Sequence, residues 1–232
     1  MLTIITIVMV LDVVERFEGR RVRVVYDQTY PAVSLVFYHI LPVFRDKRLV
    51  IGVYSDTTCR KLKEHYRFVS RHAPDVAEIL DDAYVIKIGR RDTIPFGRLY
   101  HYIPEDAIRK EFERLEIAAG KLRNDDLLLT FGFYLMPSIY GKWILRRLIR
   151  ILDMLPEDIT MVSMSPYGLF DYSTSRVIDR FFDIVVRIVK EEEPLDLGND
   201  IYVVGVEESV TRDVRPGFER YRIMPDGRLC KL

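Results

Sequence analysis

Short apolar runs alternate along the chain with longer stretches in which apolar residues recur at helical spacing. Runs that are apolar at nearly every position are typical of strands buried on both faces of a parallel sheet. The runs of this kind are Leu49–Tyr54, Ala83–Ile88 and Leu127–Phe131. Two further runs also predict strands: Arg21–Tyr26, which alternates at first and is then continuously apolar, and Ile159–Ser163. Because helical stretches separate them, the pattern predicts a three-layer α/β fold, an open and mostly parallel sheet with helices on both faces.

The intervening stretches predict helices, and their ends carry the expected signals. The segments are Leu2–Phe17, Pro31–Phe44, Thr57–Ser70, Pro74–Leu80, Glu105–Ala119 and Pro137–Leu155. Ser55 and Asp56 are capping residues in front of the third segment, and Gly120 follows the fifth, where a helix ends. Two stretches lack a clear period, so we expect residues 89–102 to be irregular and Ser165–Ser175 to be a polar, aromatic loop.

The last third of the chain differs, because strand-like runs follow one another without helical stretches between them. Two long runs, Arg180–Val189 and Ile201–Glu207, are joined by the acidic, turn-rich segment Lys190–Asp200. A shorter strand-like run follows at Tyr221–Met224. Consecutive strands with short connections pair in the antiparallel sense. The sequence therefore predicts an antiparallel extension at one edge of the sheet.

The chain shows no low-complexity linker and no internal repeat, so we expect a single domain over residues 1–232. Within that domain, residues 1–19 are predicted to form an N-terminal helix ended by Gly19. Residues 20–175 are predicted to form the βα units, and residues 176–232 the C-terminal strands.

The amino-acid composition indicates which classes of binding partner and which kind of source organism to expect. Lys and Arg total 35 and Asp and Glu total 35, so the basic excess of a general nucleic-acid or membrane-surface binder is missing. Asn and Gln are rare, and Arg far outnumbers Lys. This composition is typical of hyperthermophilic proteins, because amide side chains deamidate quickly at high temperature and ion pairs stabilise proteins more there. We therefore expect an archaeal or bacterial source that grows hot. Cys59 and Cys230 are too few for a disulfide framework and are expected to be free thiols.

The apolar stretch Leu2–Val14 does not have the features of a membrane segment. It is shorter than the roughly 20 apolar residues that a membrane span needs. It also carries Asp12 and lacks the basic start and the small-residue cleavage site of a signal peptide. We interpret it as a mostly buried helix, with a partner-facing helix as the alternative, and expect the protein to be cytoplasmic.

The order of elements and the C-terminal pattern together resemble the RecA-like ATPase core, in the version found in the circadian clock protein KaiC. Asp179–Ile188 is similar to that family's strand after the fifth β-strand. Tyr202–Gly205 and Arg212–Phe218 are similar to the strand and loop that follow it. The resemblance implies a RecA/KaiC-like fold with the topology of a P-loop NTPase, whose members assemble subunit to subunit.

The chain also resembles uncharacterised archaeal proteins of the Thermococcales, over nearly its whole length. The segments that carry this resemblance are Val24–Tyr26, Tyr30–Ala32, Ala83–Gly89 and Leu127–Phe131 with the helix after it. These are apolar strands and turns rather than catalytic signatures. The resemblance therefore implies a fold without implying an activity.

The phosphate-binding loop of such a fold is degenerate here. A P-loop, G-x-x-x-x-G-K-[ST], uses glycines to converge backbone N–H groups on phosphate, a Lys to neutralise charge and a hydroxyl to hold Mg²⁺. The corresponding segment, Tyr26–Ala32, contains no Gly and no Lys. Pro31 removes one N–H donor, and Asp27 would repel a phosphate. The Walker-B carboxylate is also missing, because the strand Leu127–Phe131 ends without an acid.

Asp56 is the one acid near the place where clock-type relatives keep a catalytic glutamate. The simpler interpretation of this residue is a helix N-cap, which we favour. The sequence therefore predicts no ordinary ATPase activity, no catalytic residues and no cofactor. The four histidines form no metal signature, so no metal site is predicted either.

Ligands of open α/β sheets bind outside the carboxyl ends of the strands, and the loops predicted there are aromatic and hydroxylic rather than cationic. This composition suits an uncharged or aromatic ligand, or a protein surface, better than a triphosphate. The candidate ligand-binding residues are Tyr26, Asp27, Gln28, Thr29, Tyr30, Ser55, Asp56, Tyr134, Ser163 and Ser165.

Three functions remain open from the sequence. The first is a non-catalytic RecA/KaiC-like ATPase relative that acts through a protein partner or by forming a homo-oligomer. The second is a protein that binds a nucleotide or another small ligand in a remodelled site. The third is an enzyme of unrecognised chemistry. A membrane or nucleic-acid partner is not expected.

Overall fold

A computed structural model describes residues 13–191 and 200–232, and ten strands within them form one sheet. In chain order the strands are β1 (Arg21–Tyr26), β2 (Arg48–Tyr54), β3 (Tyr84–Gly89), β4 (Arg98–Pro104), β5 (Asp126–Phe131), β6 (Thr160–Pro166), β7 (Ile184–Lys190), β8 (Ile201–Ser209), β9 (Gly217–Ile223) and β10 (Leu229–Lys231). Their order across the sheet is β10-β9-β8-β7-β1-β6-β5-β2-β3-β4.

The strands from β7 to β4 run parallel, and β8, β9 and β10 extend the other edge in the antiparallel sense. The predicted mostly parallel sheet with an antiparallel C-terminal extension is thus confirmed. The central strands are apolar because both faces are covered, and all six residues of β5 are buried.

Helices cover both faces of the sheet, as the alternating pattern predicted. The helices are α1 (Thr29–Ser34, continued by a π-helical turn, Leu35–Ile40, and by Leu41–Val43), α2 (Asp56–His72), α3 (Pro74–Asp81), α4 (Ile108–Ala119), α5 (Leu135–Tyr140), α6 (Leu145–Met154) and α7 (Tyr172–Asp179). Helices α1 to α3 pack in one apolar cluster with one face, and α4 to α7 pack in a second cluster with the other.

The predicted helix Pro137–Leu155 is wrong as one continuous element. It is broken at Gly141, where the backbone has a φ of 90°, and a short 3₁₀ turn, Lys142–Ile144, leads into α6. A positive φ is easily reached by glycine and interrupts the helical hydrogen bonds. The apolar spacing on both sides of Gly141 hid this break.

Three elements that the structure contains were not predicted. Strand β4 is an edge strand with a mostly half-exposed pattern, and β10 is only three residues long. Helix α7 has no fully buried residue, and its cap is Asp171, which accepts the Thr174 N–H at 2.9 Å. The strand predicted from Arg180 begins only at Ile184, after this helix ends. Because these elements bury few side chains, their sequences show little of the hydrophobic periodicity from which strands and helices are predicted.

The predicted N-terminal helix lies mostly outside the described residues. Its described end is a 3₁₀ turn, Val14–Phe17, with Val14 and Phe17 buried, and Gly19 follows with a φ of 64°. Among the described helices, none is long and apolar enough to cross a membrane. Cys59 and Cys230 are both free thiols, as expected.

Charged side chains within the sheet are paired across strands. Asp126 on β5 is fully buried, and its two carboxylate oxygens accept Nε and Nη2 of Arg48 on β2, both at 2.6 Å. Arg23 on β1 is also buried and donates to Asp179 at the end of α7 and to Ser165 on β6. Burying a charge is tolerable only where a partner and hydrogen bonds compensate it.

The C-terminal strands are fastened to α1 by polar contacts. His39 Nε2 accepts the Leu229 N–H at 3.2 Å, and the Ser34 hydroxyl donates to the carbonyl of Gly227. Burial, together with the nearby Arg228, lowers the pKa of His39 to about 4. His39 is therefore neutral in the folded protein at ordinary pH and can accept the bond.

We expect this arrangement to make stability depend on pH. Since the unfolded His39 titrates near 6.5 and the folded one near 4, the unfolded chain binds an extra proton between these values. Stability therefore falls as pH drops through that window. The non-titrating His39→Gln variant should lose less stability than the wild type between about pH 7 and about pH 4.5, measured by urea unfolding. Equal losses in the two proteins would contradict this assignment.

Candidate functional site

The carboxyl edge of the sheet opens where the loops diverge to opposite faces. The loops after β1 and β2 lead to α1 and α2 on one face. The loops after β5 and β6 lead to α5 and α7 on the other. Such a divergence leaves a crevice beyond the strand ends, and ligands of open α/β sheets bind in crevices of this kind.

The connection between β1 and α1 is a tight turn whose side chains serve the structure. Asp27 Oδ2 accepts the Lys190 N–H at 2.7 Å, which links the turn to β7. Gln28 Oε1 accepts the hydroxyl of Tyr202 on β8 at 2.9 Å. These two of the predicted ligand-binding residues therefore point toward the antiparallel edge.

A crevice of about 170 Å³ lies between the ends of β1 and β5 and the helices α1 and α2. Tyr26 and Thr29, from the end of the first strand and the loop after it, and Tyr134, from the loop after β5, line it together. The Tyr26 side chain is buried, and burial and the neighbouring Tyr134 hydroxyl raise its pKa. The Tyr26 hydroxyl is therefore a neutral hydrogen-bonding group.

Helix α2 supplies the other wall of this crevice through residues that the sequence analysis did not select. Thr57, Thr58, Lys61 and His65 line it. The His65 ring stacks on Tyr30, with the ring centroids 5.9 Å apart. Burial, reinforced by Lys61, lowers the pKa of His65. The wall thus combines hydroxyl groups, a neutral imidazole and one ammonium group.

The end of β2 contains a strained residue. Ser55 has a φ of 81° and a ψ of 151°, the one non-glycine residue with positive φ in the described chain. Its hydroxyl caps α2 by accepting the Thr58 N–H at 3.2 Å. The interpretation of Asp56 as the N-cap is therefore wrong. Backbone outliers of this type cost about 1–3 kcal/mol and cluster at functional sites.

Asp56 instead pairs with a buried lysine on the neighbouring strand. Lys87 on β3 is completely buried, and its Nζ donates to Asp56 Oδ1 at 2.7 Å and to the Ile88 carbonyl at 2.9 Å. Burial disfavours the charged form of Asp56, but Lys87 outweighs it and the pKa lies below its usual value. A Cβ on Gly89 would lie 2.3 Å from Lys87 Nζ, so only glycine fits there.

A second pocket, of about 310 Å³, lies beside this pair at the ends of β2 and β3, and we call it the edge pocket. Its walls include Tyr54, Ser55, Asp56, Glu105 and Glu111. Ser55 and Asp56 thus belong to the edge pocket rather than to the crevice.

Glu111 on α4 is the most unusual residue of the edge pocket. The residue is 1% exposed. Its Oε1 accepts the Asp106 N–H at 3.0 Å, and its Oε2 has no hydrogen-bond partner among the described residues. Burial, strengthened by the charge of Glu105, raises its pKa. Perturbed buried carboxyl groups in clefts are candidates for functional groups.

Ser163 and Ser165 face away from both pockets. The Ser163 hydroxyl accepts from Thr130 at 3.0 Å, and the Ser165 hydroxyl accepts from Arg23 at 3.0 Å. Both line a largely apolar cavity of about 150 Å³ between the sheet and helices α4, α6 and α7. Their hydroxyl groups already have partners within the sheet.

The thiol of Cys59, at the start of α2, does not have the surroundings of an activated cysteine. Cys59 is buried and its thiol donates to the Thr93 carbonyl at 3.2 Å. Burial raises its pKa, so the reactive thiolate is disfavoured. Among the residues that the structure describes, no three side chains of His, Cys, Asp or Glu are placed to hold a metal ion.

Two sequence signals could have indicated the edge pocket. Lys87 interrupts an otherwise apolar buried strand, which requires a partner for its charge. Glu111 lies next to Phe112 and one turn before Leu115, on the apolar side of α4. Both are charged residues at positions that the pattern assigns to the core.

The sequence matches no known protein family, and no curated protein is detectably similar to it. Solved structures of similar fold include a KaiC-like protein of Pyrococcus horikoshii, with a TM-score of 0.59 and 12% identity over 92% of this chain and 90% of that one. Another Pyrococcus horikoshii protein has a TM-score of 0.57 and 14% identity, over 94% of this chain and 97% of that one. The RadB recombinase has a TM-score of 0.53 and 11% identity, over 93% of this chain and 91% of its own. These likenesses confirm the RecA/KaiC-like fold.

We expect the strain at Ser55 to be measurable in two substitutions of opposite sign. Ser55→Gly relieves the positive φ and loses only a few tenths of a kcal/mol of capping, so it should stabilise the protein by about 1 kcal/mol. Ser55→Ala keeps the strain and removes the cap, so it should destabilise by about 1 kcal/mol. Chemical denaturation checks both values. A destabilising Ser55→Gly would contradict the strain.

Proposed function

We propose that this RecA/KaiC-like protein acts through self-assembly and does not hydrolyse nucleotides. The observation that carries the proposal is a set of large apolar side chains exposed at the carboxyl edge of the sheet. Their exposed fractions are 61% for Ile139, 57% for Trp143, 57% for Tyr167 and 81% for Tyr172. Exposed aromatic clusters of this kind are typical of protein interfaces.

Contacts between loops bring these side chains to one end of the molecule. Lys142 forms a salt bridge with Asp171, so the neighbouring Trp143 and Tyr172 lie on joined segments. The Tyr167 N–H donates to the carbonyl of Tyr26, which holds Tyr167 at the end of β1. Trp and Tyr supply much of the binding energy in interfaces because they bury large areas with little loss of side-chain entropy.

The turn after β1 supports the non-catalytic part of the proposal. A phosphate would have to approach Asp27 and Gln28, which are occupied by contacts to β7 and β8. The turn offers neither glycine flexibility nor a lysine at the start of α1. The source, the cytoplasmic location and the single-domain organisation remain predictions from the sequence.

We expect the wild-type protein to form an assembly larger than its 27.4 kDa monomer in static light scattering. The double variant Trp143→Ser/Tyr172→Ser should shift toward the monomer because it removes the aromatic anchors. Val210→Ser serves as the matched control, since Val210 is also exposed but lies after β8. A monomeric wild-type protein, or a double variant that assembles as the wild type does, would contradict self-assembly through this surface.

A second candidate function is binding of a small uncharged or aromatic ligand in the crevice between β1 and β5. The Tyr26 and Tyr134 hydroxyls and the threonines of α2 offer hydrogen bonds without concentrated positive charge. A pocket with mostly apolar walls and a few polar groups that point into it is typical of small-molecule binding sites. The single ammonium group of Lys61 in the crevice wall would neutralise only a small part of the negative charge of a triphosphate.

For this candidate we expect adenosine to raise the melting temperature more than ATP, ADP, GTP or cyclic nucleotides do at equal concentration. Stabilisation follows from binding to the folded state alone. Tyr134→Ala should abolish the shift because it removes a crevice wall, whereas Tyr167→Ala should retain it. No shift with adenosine, or an equal shift in Tyr134→Ala, would rule out this use of the crevice for nucleosides.

A further inference from the structure

We propose that the edge pocket binds a small organic cation, an alkyl compound carrying a protonated amine or a guanidinium group. The chemistry that recognises it is the carboxylate set at the ends of β2 and β3, with Glu111 as the central anion. The edge pocket shares Ile139 with the exposed surface and Thr57 with the crevice between β1 and β5, but its carboxylates line neither of them, so the proposal does not depend on either proposed function.

The first argument is the charge of the pocket. Asp56, Glu105 and Glu111 line it, and the cations near them are Arg90, the buried Lys87 and Arg91, whose charge acts on Asp56. Arg90 is held by Glu105 at 2.8 Å, and Lys87 by Asp56 at 2.7 Å. These cations therefore act on Asp56 or Glu105, and among the described residues none of them forms a salt bridge with Glu111.

The second argument is the unsatisfied oxygen of Glu111. A buried carboxylate normally has all of its lone pairs engaged, because an unpaired buried charge is costly. Here Oε1 accepts one backbone N–H, while Oε2 has no hydrogen-bond partner among the described residues. The Tyr140 hydroxyl is near enough to favour the charged form but makes no hydrogen bond to Oε2. A donor brought by a ligand would complete the site.

The third argument is the lining beside the carboxylates. Tyr54, Ile88 and Ile139 form apolar parts of the wall. Tyr54 is almost fully buried and its ring packs near Phe133, with centroids 6.2 Å apart. An aromatic face attracts a cation, and aliphatic walls accept a short alkyl chain. At about 310 Å³ the pocket lies at the lower end of the range for small-molecule sites.

Direct binding of n-butylammonium, followed by isothermal titration calorimetry, tests the proposal. We expect saturable binding to the wild type and at least about tenfold weaker binding to Glu111→Gln, because Gln removes the negative charge that strengthens the hydrogen bond to the ammonium group. Gln keeps the acceptor for Asp106. Glu113→Gln is the matched control on the exposed side of the same helix, where Glu113 pairs with Arg109. It should bind as the wild type does.

The neutral analogue n-butanol separates recognition of charge from recognition of the alkyl chain. We expect it to bind at least about tenfold more weakly than n-butylammonium. The proposal is overturned by undetectable n-butylammonium binding, by equal affinity of the alcohol, or by equal affinity of Glu111→Gln and wild type.

A measurement on the wild-type protein covers the case in which Glu111→Gln does not fold. The titratable groups around Glu111 are Glu105 and Asp106 before α4, Tyr54 on β2 and Tyr140 at the end of α5. An ammonium group in the pocket favours the charged carboxylate. The carboxyl carbon resonance of Glu111 should therefore titrate at a lower pH with saturating n-butylammonium than without it. An unchanged titration would refute the proposal.

Discussion

The buried ammonium group of Lys87 is the constraint on which the carboxyl edge of the sheet depends. It lies inside β3, where an unpaired charge would be strongly unfavourable, and its ionic partner is Asp56 at the first residue of α2. The start of α2 is therefore fixed against the end of β3. Ser55 precedes Asp56 and must bring the chain from β2 into this position, which accounts for its positive φ. Gly89 is required because any side chain would meet the pair.

This one pair separates the two sites of the edge. On one side of α2, its threonines, Lys61 and His65 face the ends of β1 and β5 and close the crevice with the tyrosines. On the other side, the strained turn and Asp56 face α4 and form the edge pocket with Glu111. A RecA/KaiC-like frame thus presents aromatic, hydroxyl and carboxylate groups at the place where a phosphate-binding protein presents glycines and a lysine.

Much of the frame was predictable because buried parallel strands have a simple signature. The five strands predicted from largely apolar runs match β1, β2, β3, β5 and β6 within a few residues. The elements that were missed, β4, α7 and β10, are short or exposed and bury little surface. Gly141 broke a helix whose apolar spacing continues on both sides, so periodicity alone did not reveal it.

The site was less predictable because its geometry depends on contacts between distant segments. The loops at the strand ends were identified, and the crevice unites Tyr26, Thr29 and Tyr134. The partner of Asp56 was not identified, because the pairing with Lys87 spans 31 positions of sequence and requires β2 and β3 to be neighbours. Glu111 was overlooked for the same reason, since nothing nearby in sequence shows which pocket it faces.

The most direct test of this account is a double-mutant cycle on Asp56 and Lys87, measured as the free energy of unfolding. Asp56→Ala leaves the buried ammonium without its carboxylate and, because the Asp56 side chain is itself 37% exposed to screening solvent, should lower stability by about 2 kcal/mol. The double variant Asp56→Ala/Lys87→Met removes the charge as well and should recover most of that loss. A loss below about 1 kcal/mol for Asp56→Ala, or a double variant no more stable than the single one, would contradict the account.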